Sequence, residues 1–132
     1  MPHVVIQYTP NVETDMDALC RELLAALIEQ KDENGKQLFP IGGTRVLAYP
    51  AQHYAVADGK RDCAFVYINA RIAAGRSPAA RTKSGDAMMA VVKTHFAALF
   101  ESTRIGITVQ IDESPGQVYD GKHNNLHPLL DK

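Results

Sequence analysis

The chain of 132 residues has room for one domain with a modest core, so residues 1–132 are expected to fold as a single unit. Fourteen Lys and Arg stand against fifteen Asp and Glu, a formal net charge of -1, which excludes a broad field attracting nucleic acid or a membrane surface. Hydrophobic content of 45% with 22% charged residues excludes a disordered or fibrous chain.

The opening Met-Pro-His-Val-Val-Ile lacks a basic leader and an apolar signal-type stretch, and no segment reaches the apolar length needed to span a bilayer. A cytoplasmic protein is expected. Residues 3–8 are β-branched and aromatic and end at Pro10-Asn11, which predicts a strand beginning almost at the first residue. Thr14 and Asp17 resemble a capping box with Asp in place of Glu, and Leu19, Cys20, Leu23, Leu24, Leu27 and Ile28 follow at helical spacing, predicting a helix over about residues 15–31. A polar loop with Asn34-Gly35 follows, and a second strand fits residues 44–49 after Gly42-Gly43.

Asp58-Gly59 is a turn signal, after which residues 63–70 form a dense apolar strand. Ser77 and Pro78 predict the start of a second, long helix, with Met88, Met89, Val92, Phe96, Leu99 and Phe100 on its buried face. Ile105, Ile107, Val109 and Ile111 alternate with Gly106, Thr108, Gln110 and Asp112, a half-buried strand. The order strand, helix, strand, repeated once, predicts an α+β fold of two βαβ crossovers sharing a four-stranded sheet. Two helices cover only one face of such a sheet, so self-association over the other face is the physical expectation.

Pro2 is the first candidate for chemistry. Methionine aminopeptidases remove Met1 before small residues, which would leave a secondary amine at the head of a strand, and neighbouring arginines with partial burial would disfavour its protonated form. Arg76, in Ala73-Ala74-Gly75-Arg76-Ser77, sits where helix amides already favour an anion, and a guanidinium there can grip a carboxylate with two bonds; a plain surface arginine is the bland alternative. Arg45, after Gly42-Gly43-Thr44, has the same two readings. Strand alternation points His3 away from the neighbours of Pro2 on one face. His123 and His127 are four apart, a spacing usable for a metal, but with no carboxylate or thiol pattern beside them a hydrogen-bonded tail is expected. His95 reads as a packed or solvated helix residue, and His53 receives no role. Cys20 and Cys63 lack CxxC spacing and read as buried thiols. Neither a phosphate-cradling glycine loop nor a GxSxG serine occurs, so neither a nucleotide cofactor nor a serine nucleophile is implied.

Together these segments resemble the 5-carboxymethyl-2-hydroxymuconate isomerases of homoprotocatechuate degradation, within the tautomerase superfamily. The resemblance is carried by Pro2-His3, Phe39-Pro40-Ile41-Gly42-Gly43-Thr44-Arg45, Ala57-Asp58-Gly59, Ala64-Phe65-Val66, Gly75-Arg76-Ser77, Lys93-Thr94-His95-Phe96-Ala97-Ala98-Leu99 and Asn124-Asn125-Leu126-His127, in order through nearly the whole chain. It implies a tautomerase-like homotrimer with sites near subunit boundaries, the amine of Pro2 as acid–base group, Arg76 and Arg45 as binders of substrate carboxylates, and no metal or organic cofactor. In smaller, one-repeat tautomerases Gly-Arg-Ser follows the proline-bearing strand, whereas here that strand leads into residues 7–14, which hold no arginine. The two repeats are therefore expected to divide the site between them. The implied reaction moves a proton from the 2-hydroxyl of a dienol diacid to a distant carbon. Residues 31–36 and 114–121 are distinctive and leave the diacid less defined than the reaction type. Two alternatives stay open: another N-terminal-proline reaction on the same scaffold, such as decarboxylation or hydration and dehalogenation, or a non-enzymatic binding protein if Met1 is retained.

Overall fold

The computed structural model describes residues 2–131. Met1, whose removal the sequence leads one to expect, lies outside the described residues. Seven alternating residues open the chain as strand β1, Pro2–Tyr8, with Pro2, Val4 and Ile6 buried. Helix α1, Met16–Ile28, follows, and strand β2, Arg45–Pro50, runs parallel to β1. The second unit is strand β3, Cys63–Ala73, helix α2, Pro78–His95, a short helix α3, Ala97–Ser102, and strand β4, Arg104–Ser114, parallel to β3. The two crossovers meet through antiparallel pairing of β1 with β3, giving the order β2-β1-β3-β4. A five-residue helix α4, Leu126–Leu130, ends the chain.

One face of the sheet is covered. Val4 and Ile6 of β1 and Ala64, Val66, Ile68, Ala70 and Ile72 of β3 pack with Leu19, Leu23 and Leu27 of α1 and Met88 and Val92 of α2. Period two on the strands and period three to four on the helices thus meet in one core, as two crossovers over a shared sheet require. His95 fastens the helix pair: its Nε2 lies 2.8 Å from Thr14 Oγ1 and its Nδ1 2.9 Å from Glu22 Oε1, with its side chain 8% exposed. The other face bears Leu47, Tyr49 and Phe65, all exposed, and no helix of this chain lies over it among the described residues.

Several local expectations are corrected. Asp15, not Thr14, caps α1, its Oδ1 accepting from the Ala18 amide at 3.0 Å, because Thr14 is engaged by His95. The helix also ends at Ile28, where Gln30 and Leu38 begin a bonded loop. Strand β3 runs on to Ala73 because its whole length is paired with β4. The predicted long helix breaks at Phe96, whose ring is fully buried while its backbone (φ -96°, ψ 8°) leaves the helical region; Phe100 beyond the break is 58% exposed. Cys20 and Cys63 are free and only half-buried.

Leu23 is fully buried between the helices and the sheet. Leu23→Ala is expected to cost about 2–5 kcal/mol of unfolding free energy, measured by urea denaturation at fixed chain concentration.

Candidate active site

The sheet register decides where the site residues fall. Pro2 is buried opposite Ile72 of β3, and Ile72 is opposite Glu113 of β4, which pairs with Arg81 of α2. The head of β1 and the tail of β3 therefore share one end of the sheet. Three residues past Ala73, the chain reaches Arg76. Its Nη1 donates to Ala73 O at 3.1 Å and its Nη2 to Leu38 O at 3.2 Å, and the guanidinium lies 5.1 Å above the Phe39 ring. Two carbonyls and an aromatic face hold the charge in place, and a guanidinium has five N–H donors, so the fork can meet a carboxylate as well.

Arg45 reaches the same end by another route. His3 and Arg45 are register partners across the parallel β1–β2 pair, and Arg45 Nε donates to His3 Nδ1 at 2.9 Å while its Nη1 donates to Gly43 O at 3.2 Å. An Nδ1 that accepts this bond is unprotonated. Burial, and after it the Arg45 guanidinium, holds the His3 imidazole below its ordinary 6.5. His3 is also the register partner of Arg71 on its other side. Pro2, Arg45 and Arg76 are thus gathered at one end of the sheet, but Pro2 belongs to the helix-covered set of β1 residues and Arg45 to the alternate set with His3.

The start of α2 is built around Ser77. Its Oγ accepts from the Ala80 amide at 3.1 Å and donates to Glu33 Oε1 at 2.8 Å, which clips the loop carrying Glu33 against the Arg76 turn. The Glu33 carboxyl is held below the usual carboxylate range by its own backbone amide and the Ser77 hydroxyl. Gly75 stands at φ 111°, a conformation that a side chain would strain, so the turn presenting Arg76 depends on it.

Other expectations fare differently. His123 precedes α4, so the two tail histidines do not share a helix; His127 pairs with Asp131 at 2.9 Å, and among the described residues no group of three or more His, Cys, Asp or Glu gathers for a metal. A cleft of about 540 Å3 lies at the far end of β1 between Tyr8, Tyr54, Val56 and Phe65 and includes none of Pro2, Arg45 and Arg76. Nearer the site, a cleft of about 340 Å3 runs between Ala73, Ala74, Ser114, Gln117 and Lys122. Sequence reasoning missed Phe39 under Arg76 and His3 as the partner of Arg45. Local spacing holds no signal for the first; parallel pairing of residues 3 and 45 could have shown the second.

A mixed sheet of two fused βαβ units with a proline heading an inner strand is the tautomerase fold, and the solved structure of an FG41 malonate semialdehyde decarboxylase, at 14% identity, shares that fold alone with a TM-score of 0.58 over 96% of this chain and 93% of that one. Residues 2–130 match the 5-carboxymethyl-2-hydroxymuconate isomerase family, to which this chain belongs. It is 31% identical to the 5-carboxymethyl-2-hydroxymuconate Delta-isomerase of Escherichia coli, over 98% of this chain and 99% of that protein. A solved 5-carboxymethyl-2-hydroxymuconate delta-isomerase is 43% identical, with a TM-score of 0.92 covering 100% of this chain and 94% of that one. A 5-carboxymethyl-2-hydroxymuconate isomerase from Deinococcus radiodurans R1 is 35% identical, with a TM-score of 0.86 over 97% and 92% of the two chains.

A His3 value below 6.5 means that the fold favours neutral imidazole, so its contribution to stability is complete above about pH 6.5 and is lost as pH falls through the lower folded value. Arg45→Ala is expected to move the His3 titration upward, read from its imidazole protons by NMR.

Proposed function

We propose that this chain isomerises 5-carboxymethyl-2-hydroxymuconate in the cytoplasm, as a step in homoprotocatechuate catabolism, using the amine of Pro2 freed by removal of Met1. The observation that carries the reading is the gathering of Pro2, Arg45 and Arg76 at one end of the sheet in a chain of this family. The substrate has two muconate carboxylates and a third on its carboxymethyl arm, so fixed guanidinium groups suit it.

In this reaction neutral Pro2 nitrogen takes the proton of the 2-hydroxyl. The oxygen closes to a carbonyl, the C2–C3 π pair moves to C3–C4, and the C4–C5 pair accepts the proton back from the prolinium at C5. One proton changes place, nothing is oxidised, and the 2-oxo-3-ene product is conjugated. Arg45 and Arg76 hold carboxylates and stabilise the dienolate charge that builds between the two transfers; preorganised donors of this kind contribute most because they do not reorganise during the reaction. Self-association is part of the reading. The sheet face bearing Leu47, Tyr49 and Phe65 is uncovered, and a distant fold relative at 16% identity is described as a fused 4-OT wild-type symmetric trimer. A homotrimer would cover that face and bring a neighbour to the site.

Protein made without a tag should have the mass of a chain lacking Met1 and should convert 5-carboxymethyl-2-hydroxymuconate; processed protein with no turnover would refute the substrate, and retained methionine with full turnover would refute the Pro2 amine. Arg76→Ala is expected to lower kcat/KM by about 10²–10³ with the fold kept, followed by the ultraviolet absorbance of the dienol. Sedimentation should give three times the chain mass, and Leu47→Asp should lower it.

A further inference from the structure

Resting on the reading that Arg45 grips a substrate carboxylate, we infer that Asp131 is a positioning residue, clasping the turn from which Arg45 projects. Its two carboxylate oxygens are both committed to the 3-10 turn Ile41–Gly43: Oδ1 accepts from the Ile41 amide at 2.6 Å and Oδ2 from the Gly42 amide at 2.8 Å. These contacts join residues 90 and 89 positions apart, so the end of the chain is tied back onto the segment before β2. His127, four residues earlier on α4, brings Nδ1 within 2.9 Å of Oδ2, and the Asp131 amide donates to His127 O at 2.9 Å. The carboxylate is thereby held to its own helix while it holds the turn.

The mechanical path from clasp to guanidinium is continuous. Inside the turn, the Gly43 amide donates to Pro40 O and the Thr44 amide to Ile41 O, both at 3.2 Å, and Thr44 Oγ1 donates to Pro40 O at 2.7 Å. Gly43 O then receives Arg45 Nη1, whose Nε is on His3. The seat also has no room for a larger residue at position 42: a Cβ on Gly42 would lie 2.6 Å from Asp131 Oδ2 and 3.0 Å from the His127 backbone nitrogen. Glycine at this position is explained by the close approach of α4. Although removal from water works against the charge, the amides of Gly42 and Ile41 and the His127 contact together hold the Asp131 carboxyl below the usual range. At neutral pH the clasp is an anion on two amides, the stronger kind of hydrogen bond.

Asp131→Ala removes the clasp at an exposed position, and Gly42→Ala displaces it while leaving Asp131 in the chain. Both variants, with Arg45→Ala as reference, are read by NMR titration of the His3 imidazole and by KM and kcat on 5-carboxymethyl-2-hydroxymuconate. The expected result is an upward shift of the His3 titration in both, in the direction that Arg45→Ala gives, with KM raised about tenfold, kcat changed less, and no further rise in KM when Asp131→Ala is added to Arg45→Ala. Asp131→Asn, which keeps one acceptor oxygen, should restore part of the shift. A His3 titration at its wild-type position in both folded variants, or KM effects that add in the double variant, would overturn the inference. Wild-type KM in Arg45→Ala would instead count against the substrate reading, with the His3 titration still deciding whether Asp131 places Arg45.

Discussion

Antiparallel pairing of β1 with β3 is the constraint on which the site depends. Each crossover by itself places two strands side by side and a helix across them, and neither brings its strand-to-helix turn near the start of the other unit. The register that sets Pro2 against Ile72 does so, because it leaves only the short segment through Ala73 and Gly75 between the head of the first unit and Arg76 of the second. A slip of one residue would turn every side chain of β1 to the other face, moving Val4 and Ile6 out of the core. Burial of those two side chains therefore holds the site in register as firmly as it holds the fold.

Around that junction Arg76 is oriented by neutral groups. Arg76 leans on two backbone carbonyls and the Phe39 ring, and Arg45 on the Gly43 carbonyl and a neutral imidazole. An arginine neutralised by an acidic partner would have to give it up before taking a substrate carboxylate, whereas the contacts of Arg76 fix its direction and leave its charge in force. The carboxylates nearby, Glu33 and Asp131, act one step back, on a serine hydroxyl and on backbone amides. Electrostatic attraction for an anion and mechanical support for the groups that supply it are in this way assigned to different residues.

The uncovered sheet face follows from the same architecture. With α1 and α2 on one side, Leu47, Tyr49 and Phe65 have no partner layer among the described residues, while a cleft of about 540 Å3 opens at the end of the sheet remote from Pro2.

Much of this was legible in residue order. Alternation in residues 105–111, the apolar run at 63–70 and the leucine stripe of α1 are local signals, since period two and period three to four arise from backbone geometry alone, and Ser77 with Pro78 marked the start of α2 through the chemistry of free amides. Local pattern likewise singled out Pro2, Arg45 and Arg76 as the groups worth weighing. Partners distant in sequence were beyond it: His95 taking Thr14 from the cap of α1, His3 beneath Arg45, Phe39 beneath Arg76, and Asp131 on the amides of Ile41 and Gly42. Those contacts span 42 to 90 positions wherever a hydrogen bond records them, and no periodicity extends across such gaps. Local propensity and patterning determined the four strands and the two crossover helices and singled out the candidate site residues; only strand register and the return of the chain's end could decide which of them touch, because contacts between distant residues are selected by burial and steric fit in the assembled core.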